Sequence, residues 1–493
     1  EIPLRLVGSE MCIRDSFNYI AGEWTAADEY TVNRNPSDLD DVIGEYARAS
    51  EAQAAQAIDA ADTAFAVWSR TTGQQRHDLL KRIGDQILAR KEELGRLLAR
   101  EEGKTLPEAI GEAGRAGQIF LFFAGEALRL AGEKLPQTRP GVDVDVTREA
   151  LGPIGIIAPW NFPLAIPAWK IAPALAYGNT VVFKPADLVP GSAYALAEII
   201  AQAGVPAGVF NLVMGRGSRI GQALIDSAKL RGISFTGSVD TGRKVAAGCV
   251  AGAHMKKFQL EMGGKNPLVV LDDADLATAV ECAVNGAFFS TGQRCTASSR
   301  LIVTDGIHDA FVAAVKARLA QLKVDHALKA GTDIGPVVDE RQLAQDLDYI
   351  AIGRCEGAEL VAGGEVLKRD TRGHFLSPAL FTGVTADMRI AREEIFGPVA
   401  TVTRVRDYDE ALALSNATPF GLSAGICSTS LKHVTHFKRN AEAGMVMVNL
   451  ATAGVDYHAP FGGRKDSSYG AREQGRYAAE FYTTVKTAYT YAG

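Results

Sequence analysis

Cysteine is scarce and unpatterned in this chain of 493 residues. Its six cysteines are Cys12, Cys249, Cys282, Cys295, Cys355 and Cys427, with no CxxC pair and no Cys/His cluster. That argues against a disulfide framework and against a structural zinc or other metal site, and it points to a reducing cytoplasm. Long apolar runs are missing too: none reaches the roughly 18 residues that a membrane span needs. Blocks of one charge are also absent. The formal net charge is −6 and the pI ≈ 5.9, so neither nucleic acid nor an anionic membrane finds an electrostatic footing. What remains is 47% hydrophobic and 22% charged residues, the profile of a soluble globular protein. At about 150 residues per domain the length predicts roughly three units, enough to bury a large core without staples.

Glu1–Ser16 reads EIPLRLVGSEMCIRDS. A transposon-type sequencing adapter, translated in this frame, encodes Leu6–Ser16, and its primer flank accounts for Glu1–Arg5. A signal peptide would need a longer apolar stretch and a small-residue cleavage site. The segment, Cys12 included, is therefore read as a non-native tail, with the functional sequence starting near Phe17.

Helical spacing runs from Ser50 to about Arg100, where Ala54, Ile58, Ala61, Phe65 and Trp68 recur at three- and four-residue steps. Leu79, Ile83, Ile87, Leu94 and Leu98 extend it, and Glu112–Leu130 predicts a further helix. Short apolar strands then alternate with helices. Strands are expected at Ile154–Ala158, Thr180–Phe183, Phe210–Met214, Gly232–Phe235 and Pro267–Leu271; helices are expected over Ser192–Ala203 and from Ser218 and Thr241. This alternation predicts an α/β fold with a parallel sheet wound on both faces. A second α/β series follows, with helix Leu276–Phe289, strand Arg300–Val303, helix Ile307–Leu322 and strands near Val399–Val405 and Gly444–Val448. The tail Thr483–Tyr491 is rich in Thr, Val and Tyr and lacks a nearby hairpin partner, so it should pair with a distant segment or another subunit.

Several motifs carry chemistry. Gly215-Arg-Gly217-Ser-Arg-Ile-Gly221 follows a strand and opens a helix, one residue off a dinucleotide fingerprint; a turn and helix start explain it equally well. Phe235-Thr-Gly237-Ser238-Val-Asp-Thr-Gly242 has the same setting, where glycines admit a pyrophosphate to a helix N-terminus. Lys184-Pro-Ala-Asp187 ends a strand, the usual ligand edge of such sheets. Lys184 can donate to ribose hydroxyls; Asp187 can accept from a 2′-hydroxyl and repel a 2′-phosphate. Cys295, in Ser290-Thr-Gly-Gln-Arg-Cys-Thr, could be a nucleophile, though most lone cysteines are inert core residues. Glu261, in Leu260-Glu-Met-Gly-Gly-Lys-Asn-Pro267, could be a base or an ion-pair partner. Asn161, in Pro159-Trp-Asn-Phe-Pro163, could be an amide donor or a turn residue. Together, a thiol, a carboxylate, an amide and a dinucleotide site make one mechanism.

PWNFP at 159–163, KPAD at 184–187, FTGS at 235–238, LEMGGKNP at 260–267, GQRCTA at 292–297, EEIFGP at 393–398 and PFGGRK at 460–465 stand in the order found in the aldehyde dehydrogenase superfamily. The chain resembles that family from about Phe17 to its C-terminus. The resemblance implies an aldehyde dehydrogenase fold: a parallel-sheet cofactor domain at 17–138 and 159–269, an α/β catalytic domain at 270–470, and a β oligomerisation arm at 139–158 and 471–493, assembled as a homodimer or homotetramer. It implies that Cys295 attacks the aldehyde, that Asn161 and the Cys295 backbone N–H hold the oxyanion, and that Glu261 activates the hydrolytic water. It also places Lys184 and Asp187 at the adenosine ribose, Trp160 and Ser238 along the pyrophosphate with Gly217, Gly237 and Gly242, and Glu394 with Phe396 at the nicotinamide ribose. The cofactor expected is NAD, favoured by Asp187, with NADP possible because Asp187 is shorter than the Glu common there. Glu261 argues for hydrolysis over acyl transfer to coenzyme A or phosphate. Cys295, Glu261 and Asn161 together argue against a catalytically silent binding protein on the same fold.

The stretches at 290–303, 333–339 and 452–470 resemble α-ketoglutaric semialdehyde (2,5-dioxopentanoate) dehydrogenases. The alternatives are succinic or glutaric semialdehyde, or broad specificity. Ala168-Trp169-Lys170 stands where succinic semialdehyde enzymes often carry Arg, and Ala451 where relatives often have Pro. A substrate with a far-end carboxylate needs a cation in its pocket. Arg294 is the candidate, with an internal salt bridge as its other reading; Ser298, Ser299 and Trp169 are candidate substrate contacts.

Overall fold

The computed structural model describes residues 15–491 and 493. Cys12 and most of the adapter-like tail lie outside them. The last two residues of that tail, Asp15–Ser16, pair in parallel with Asp38–Arg48; a backbone ladder asks nothing of side-chain identity.

The expected strand–helix alternation forms two sheets. The first has eight strands, and its five parallel members lie in the order Lys257–Glu261, Gly232–Thr236, Ile154–Ile157, Val181–Lys184, Phe210–Leu212. Ser468–Tyr469 closes one edge antiparallel, and the hairpin of Asn18–Ile20 and Glu23–Thr25 closes the other. Val181–Lys184 (VVFK) is buried along its whole length, as a β-branched strand covered on both faces should be. The second sheet has seven strands, six of them parallel, centred on Arg300–Thr304, Pro267–Val270 and Ser423–Cys427. Glu359–Ala362 is its antiparallel edge.

Three antiparallel strands form a separate ribbon: Thr483–Tyr491 pairs with Val142–Ala150, which also pairs with Glu133–Leu135. The tail thus finds its partner more than three hundred residues upstream. The stretch drawn at 139–158 is split, because Ile154–Ile157 belongs to the middle of the eight-stranded sheet rather than to this ribbon.

Helices Glu51–Trp68 and Gly73–Ala89 start at Ser50 and Thr72, each closing a capping box with a Gln three residues on. The helix expected over Glu112–Leu130 runs instead over Leu106–Glu126. Thr105 caps it with Glu108 and a Pro fits its first turn, signals that outrank the apolar spacing that begins later. The helix expected from Ser218 opens as a π-helical turn, Gly217–Gly221, before Gln222–Asp226. Among the described residues no helix is long and apolar enough to cross a membrane.

Candidate active site

Helix Leu276–Phe288 runs into a turn in which Ser290, Thr291 and Gly292 have φ of 48°, 58° and 66°. A left-handed conformation costs a residue with a side chain about 1–2 kcal/mol, so the turn must be held from outside. It is: Glu108 accepts from the Ser290 N–H at 2.8 Å and from Arg294 Nη2 at 3.1 Å. The Val338 N–H also donates to Gln293 Oε1 at 3.0 Å. Cys295 follows this clamped turn. Burial first, then the charges of Glu394 and Glu261, push its thiol up to about 12. At neutral pH it therefore rests protonated and needs a base to become a nucleophile.

Glu261 ends strand Lys257–Glu261 and is 3% exposed. Ser468 Oγ donates to it at 2.5 Å. Gly462, at φ 148°, lies so close that a Cβ there would fall 2.7 Å from Glu261 Oε1. Burial, and next the charge of Glu473, raise the Glu261 carboxyl well above the usual carboxylate range, against the pull of Ser468, Lys170 and Arg472. Behind it Lys170 and Glu473 form a buried ion pair, and Lys170 Nζ also donates to Ser234 Oγ at 2.9 Å.

The Asn161 side-chain amide donates to the Gln293 carbonyl at 2.9 Å. Lys104 Nζ donates to the Asn161 carbonyl at 2.6 Å and to Glu112 at 2.7 Å. No described residue takes the second N–H of that amide, and Asn161 and Cys295 line one cavity. Asn161→Ala is expected to lower kcat by roughly 10²–10³ while the dinucleotide still binds, which stopped-flow rates and cofactor titration together would check.

Two cavities meet at the thiol. One is lined by Trp160, Asn161, Gly237, Ser238, Glu261, Glu394 and Phe396. The other, about 470 Å³, is lined by Lys104, Arg115, Phe162, Arg294 and Ala453 among others. They share Ile166, Trp169, Cys295 and Phe461.

The first cavity suits a dinucleotide. Ser238 caps helix Val239–Ala251 and accepts the Thr241 N–H, and the remaining orphan N–H groups of such an N-terminus suit a phosphate. Trp160 meets Phe396 edge-on at 5.4 Å, and Phe396 is itself held at φ 64°. Glu394 accepts from the Gly264 N–H at 2.9 Å, and burial pushes its carboxyl up to about 7. A Cβ on Gly263 would fall 2.0 Å from Glu394 Oε2, so this approach requires glycine. Lys184 Nζ meets Asp187 at 3.1 Å and Gly217 borders Lys184, but these three residues are not on the lining of this cavity. Gly242 differs from the expectation: it lies one turn into its helix against Met262, and serves the packing of helix on sheet.

Of the proposed substrate contacts, Trp169 lines both cavities. Ser298 does not reach them: it is fully buried and hydrogen-bonded to Thr452. Ser299 is not on the lining either; its carbonyl accepts from Thr401. Arg294 lines the second cavity, yet its charge is spent on Glu108. The sequence reading missed Glu473, and noted Lys170 only as a departure from the succinic semialdehyde enzymes, not as its ion-pair partner. The signal was there: Lys170 is the one charged residue in the otherwise apolar helix Ala165–Ala176, and a charge inside such a helix needs a buried partner.

The model of the aldehyde dehydrogenase family matches residues 24–488. The chain belongs to the aldehyde dehydrogenase family. It is 43% identical to α-ketoglutaric semialdehyde dehydrogenase of Bacillus subtilis strain 168, over 96% of this chain and 97% of that protein. It is 40% identical to 2,5-dioxopentanoate dehydrogenase of Saccharolobus solfataricus, over 96% and 99%. Betaine aldehyde dehydrogenase of Staphylococcus aureus, solved in complex with NAD+, superposes with a TM-score of 0.94 at 33% identity, over 97% of this chain and 95% of that one. The enzyme is thus an NAD(P)-dependent aldehyde dehydrogenase of α/β fold.

Proposed function

We propose that this dehydrogenase oxidises α-ketoglutaric semialdehyde to α-ketoglutarate through a thioester on Cys295. The observation that carries the chemistry is the junction of two cavities at one buried thiol, with Glu261 on one side and a cation-lined chamber on the other. The full-length likeness to semialdehyde dehydrogenases supports the substrate.

The aldehyde enters the second cavity, and the Cys295 thiol passes its proton to water in the adjoining cavity as Sγ bonds to the aldehyde's carbonyl carbon. The oxygen gains charge and accepts from the free Asn161 N–H and the Cys295 backbone N–H. The nicotinamide, when bound, supplies the hydride acceptor that turns the thiohemiacetal into a thioester. Trp160, Ser238, Lys184, Asp187, Glu394 and Phe396 would hold the dinucleotide. Glu261 then takes a proton from water, whose oxygen attacks the thioester; the acid leaves and Sγ regains its proton.

The family resemblance favours a cofactor segment, a catalytic segment and an arm, and the ribbon of Glu133–Leu135, Val142–Ala150 and Thr483–Tyr491 supports the arm. The exposed Val485, Tyr489 and Tyr491 on the terminal strand favour a homodimer or homotetramer. The free thiols, Cys295 among them, favour the cytoplasm.

The test is NADH or NADPH formation across α-ketoglutaric, succinic and glutaric semialdehydes, pentanal and benzaldehyde, with each coenzyme. α-Ketoglutaric semialdehyde should lead in kcat/KM by about tenfold or more, which is about 1.4 kcal/mol of discrimination. Equal rates with the neutral aldehydes would sink the substrate assignment and leave the family activity standing.

A further inference from the structure

Three cations line the chamber on the substrate side of Cys295: Lys104, Arg294 and Arg115. Two are neutralised. Lys104 pairs with Glu112 at 2.7 Å and Arg294 with Glu108 at 3.1 Å. Arg115 lies on helix Leu106–Glu126, about two turns beyond Glu108, and is half-buried. No described residue forms a hydrogen bond or ion pair with its guanidinium.

Its nearest acidic neighbours are Asp456 and Glu112. Neither answers it. Glu112 is fully used: Oε1 accepts the N–H groups of Leu164 and Ala165 at 2.9 and 3.1 Å, while Oε2 takes Lys104. Asp456 is exposed on the loop after Val455 and lies beyond ion-pair distance. The chamber therefore carries one unpaired positive charge, partly desolvated and fixed in position by a helix. A partly desolvated guanidinium attracts a carboxylate more strongly than an exposed one, and its planar fork binds it through two hydrogen bonds.

We infer that Arg115, rather than Arg294, captures the far-end carboxylate of the substrate and sets the preference for semialdehydes over neutral aldehydes. The inference rests on the semialdehyde reading above. It gives Arg294 a different duty, since its guanidinium braces Glu108 and the left-handed turn before the nucleophile.

The experiment compares wild type, Arg115→Gln and Arg115→Lys, each as the full chain with saturating NAD, on α-ketoglutaric semialdehyde and on pentanal. No described residue makes a hydrogen bond or ion pair with Arg115, so both variants should fold. In Arg115→Gln the ratio of kcat/KM for semialdehyde over pentanal should fall by about 10-fold or more, the loss expected for a hydrogen bond to a charged group. The fall should appear mainly in KM for the semialdehyde, and Arg115→Lys should recover part of it. A wild-type preference that survives Arg115→Gln overturns the inference and leaves the semialdehyde reading intact. A wild type that treats both aldehydes alike overturns the two together. Equal losses on both substrates would mark Arg115 as structural and also overturn the inference.

Discussion

A Glu261→Gln enzyme is expected to release close to one NADH per active site in a rapid burst and then nearly stop. The carboxylate faces the cofactor-side cavity and not the substrate chamber, so its loss leaves aldehyde entry and oxyanion binding in place. What it removes is the group that accepts the proton of the attacking water. Losing a positioned base costs roughly 10²–10⁴ in rate, and steady-state turnover should fall by that factor while the burst amplitude holds. The wild-type pH profile follows from the same residue. Only ionised Glu261 can accept a proton, and burial together with Glu473 raises its carboxyl well above 4.5. Turnover should therefore decline as the pH falls through that raised value, and the decline should vanish from the residual rate of the Gln variant. Quench-flow at several pH values checks both; a variant with no burst would show that Glu261 acts before the thioester forms.

Cys295→Ala should remove both the burst and the turnover, with a loss of about four orders of magnitude or more, as for other covalent nucleophiles. Its fold should persist, because the clamp on the preceding turn uses Glu108, Arg294 and Gln293, not the thiol. Alkylation of wild type gives an independent reading. A thiol pushed up to about 12 reacts slowly until a base or an electrophile draws the proton away. Iodoacetamide should therefore inactivate faster as the pH rises, with no plateau near pH 8.5. Measurable aldehyde oxidation by the Ala variant would overturn the thioester route.

Much of this site is legible in the chain because the family motifs are local. PWNFP, KPAD, LEMGGKNP and GQRCTA each bring one working group within a few residues of its supporting glycine or proline. The parallel strands were legible for a similar reason, since Val181–Lys184 and Pro267–Val270 are short, apolar and buried on both faces. Strand Glu29–Asn35 and its partner Asp38–Arg48 escaped, because inward positions such as Asn33, Asn35 and Gly44 are not apolar, so burial alternates there without a hydrophobic pattern. Strand Lys257–Glu261 escaped too, having only Phe258 and Leu260 to mark it. Long-range pairing is the harder loss. Arg294 looked like a substrate cation beside the nucleophile, but its partner Glu108 lies 186 residues away in sequence. Only the folded chain shows that Arg294 is paired with Glu108 and that no described residue pairs with Arg115.

The meeting of two chambers at one sulfur has a temporal consequence. On the proposed route the acyl chain and the hydrolytic water would reach Cys295 from different cavities, since Glu261 lines the cofactor-side cavity and not the substrate chamber. A ligand lingering on the cofactor side is therefore expected to slow thioester hydrolysis without touching the aldehyde's entry.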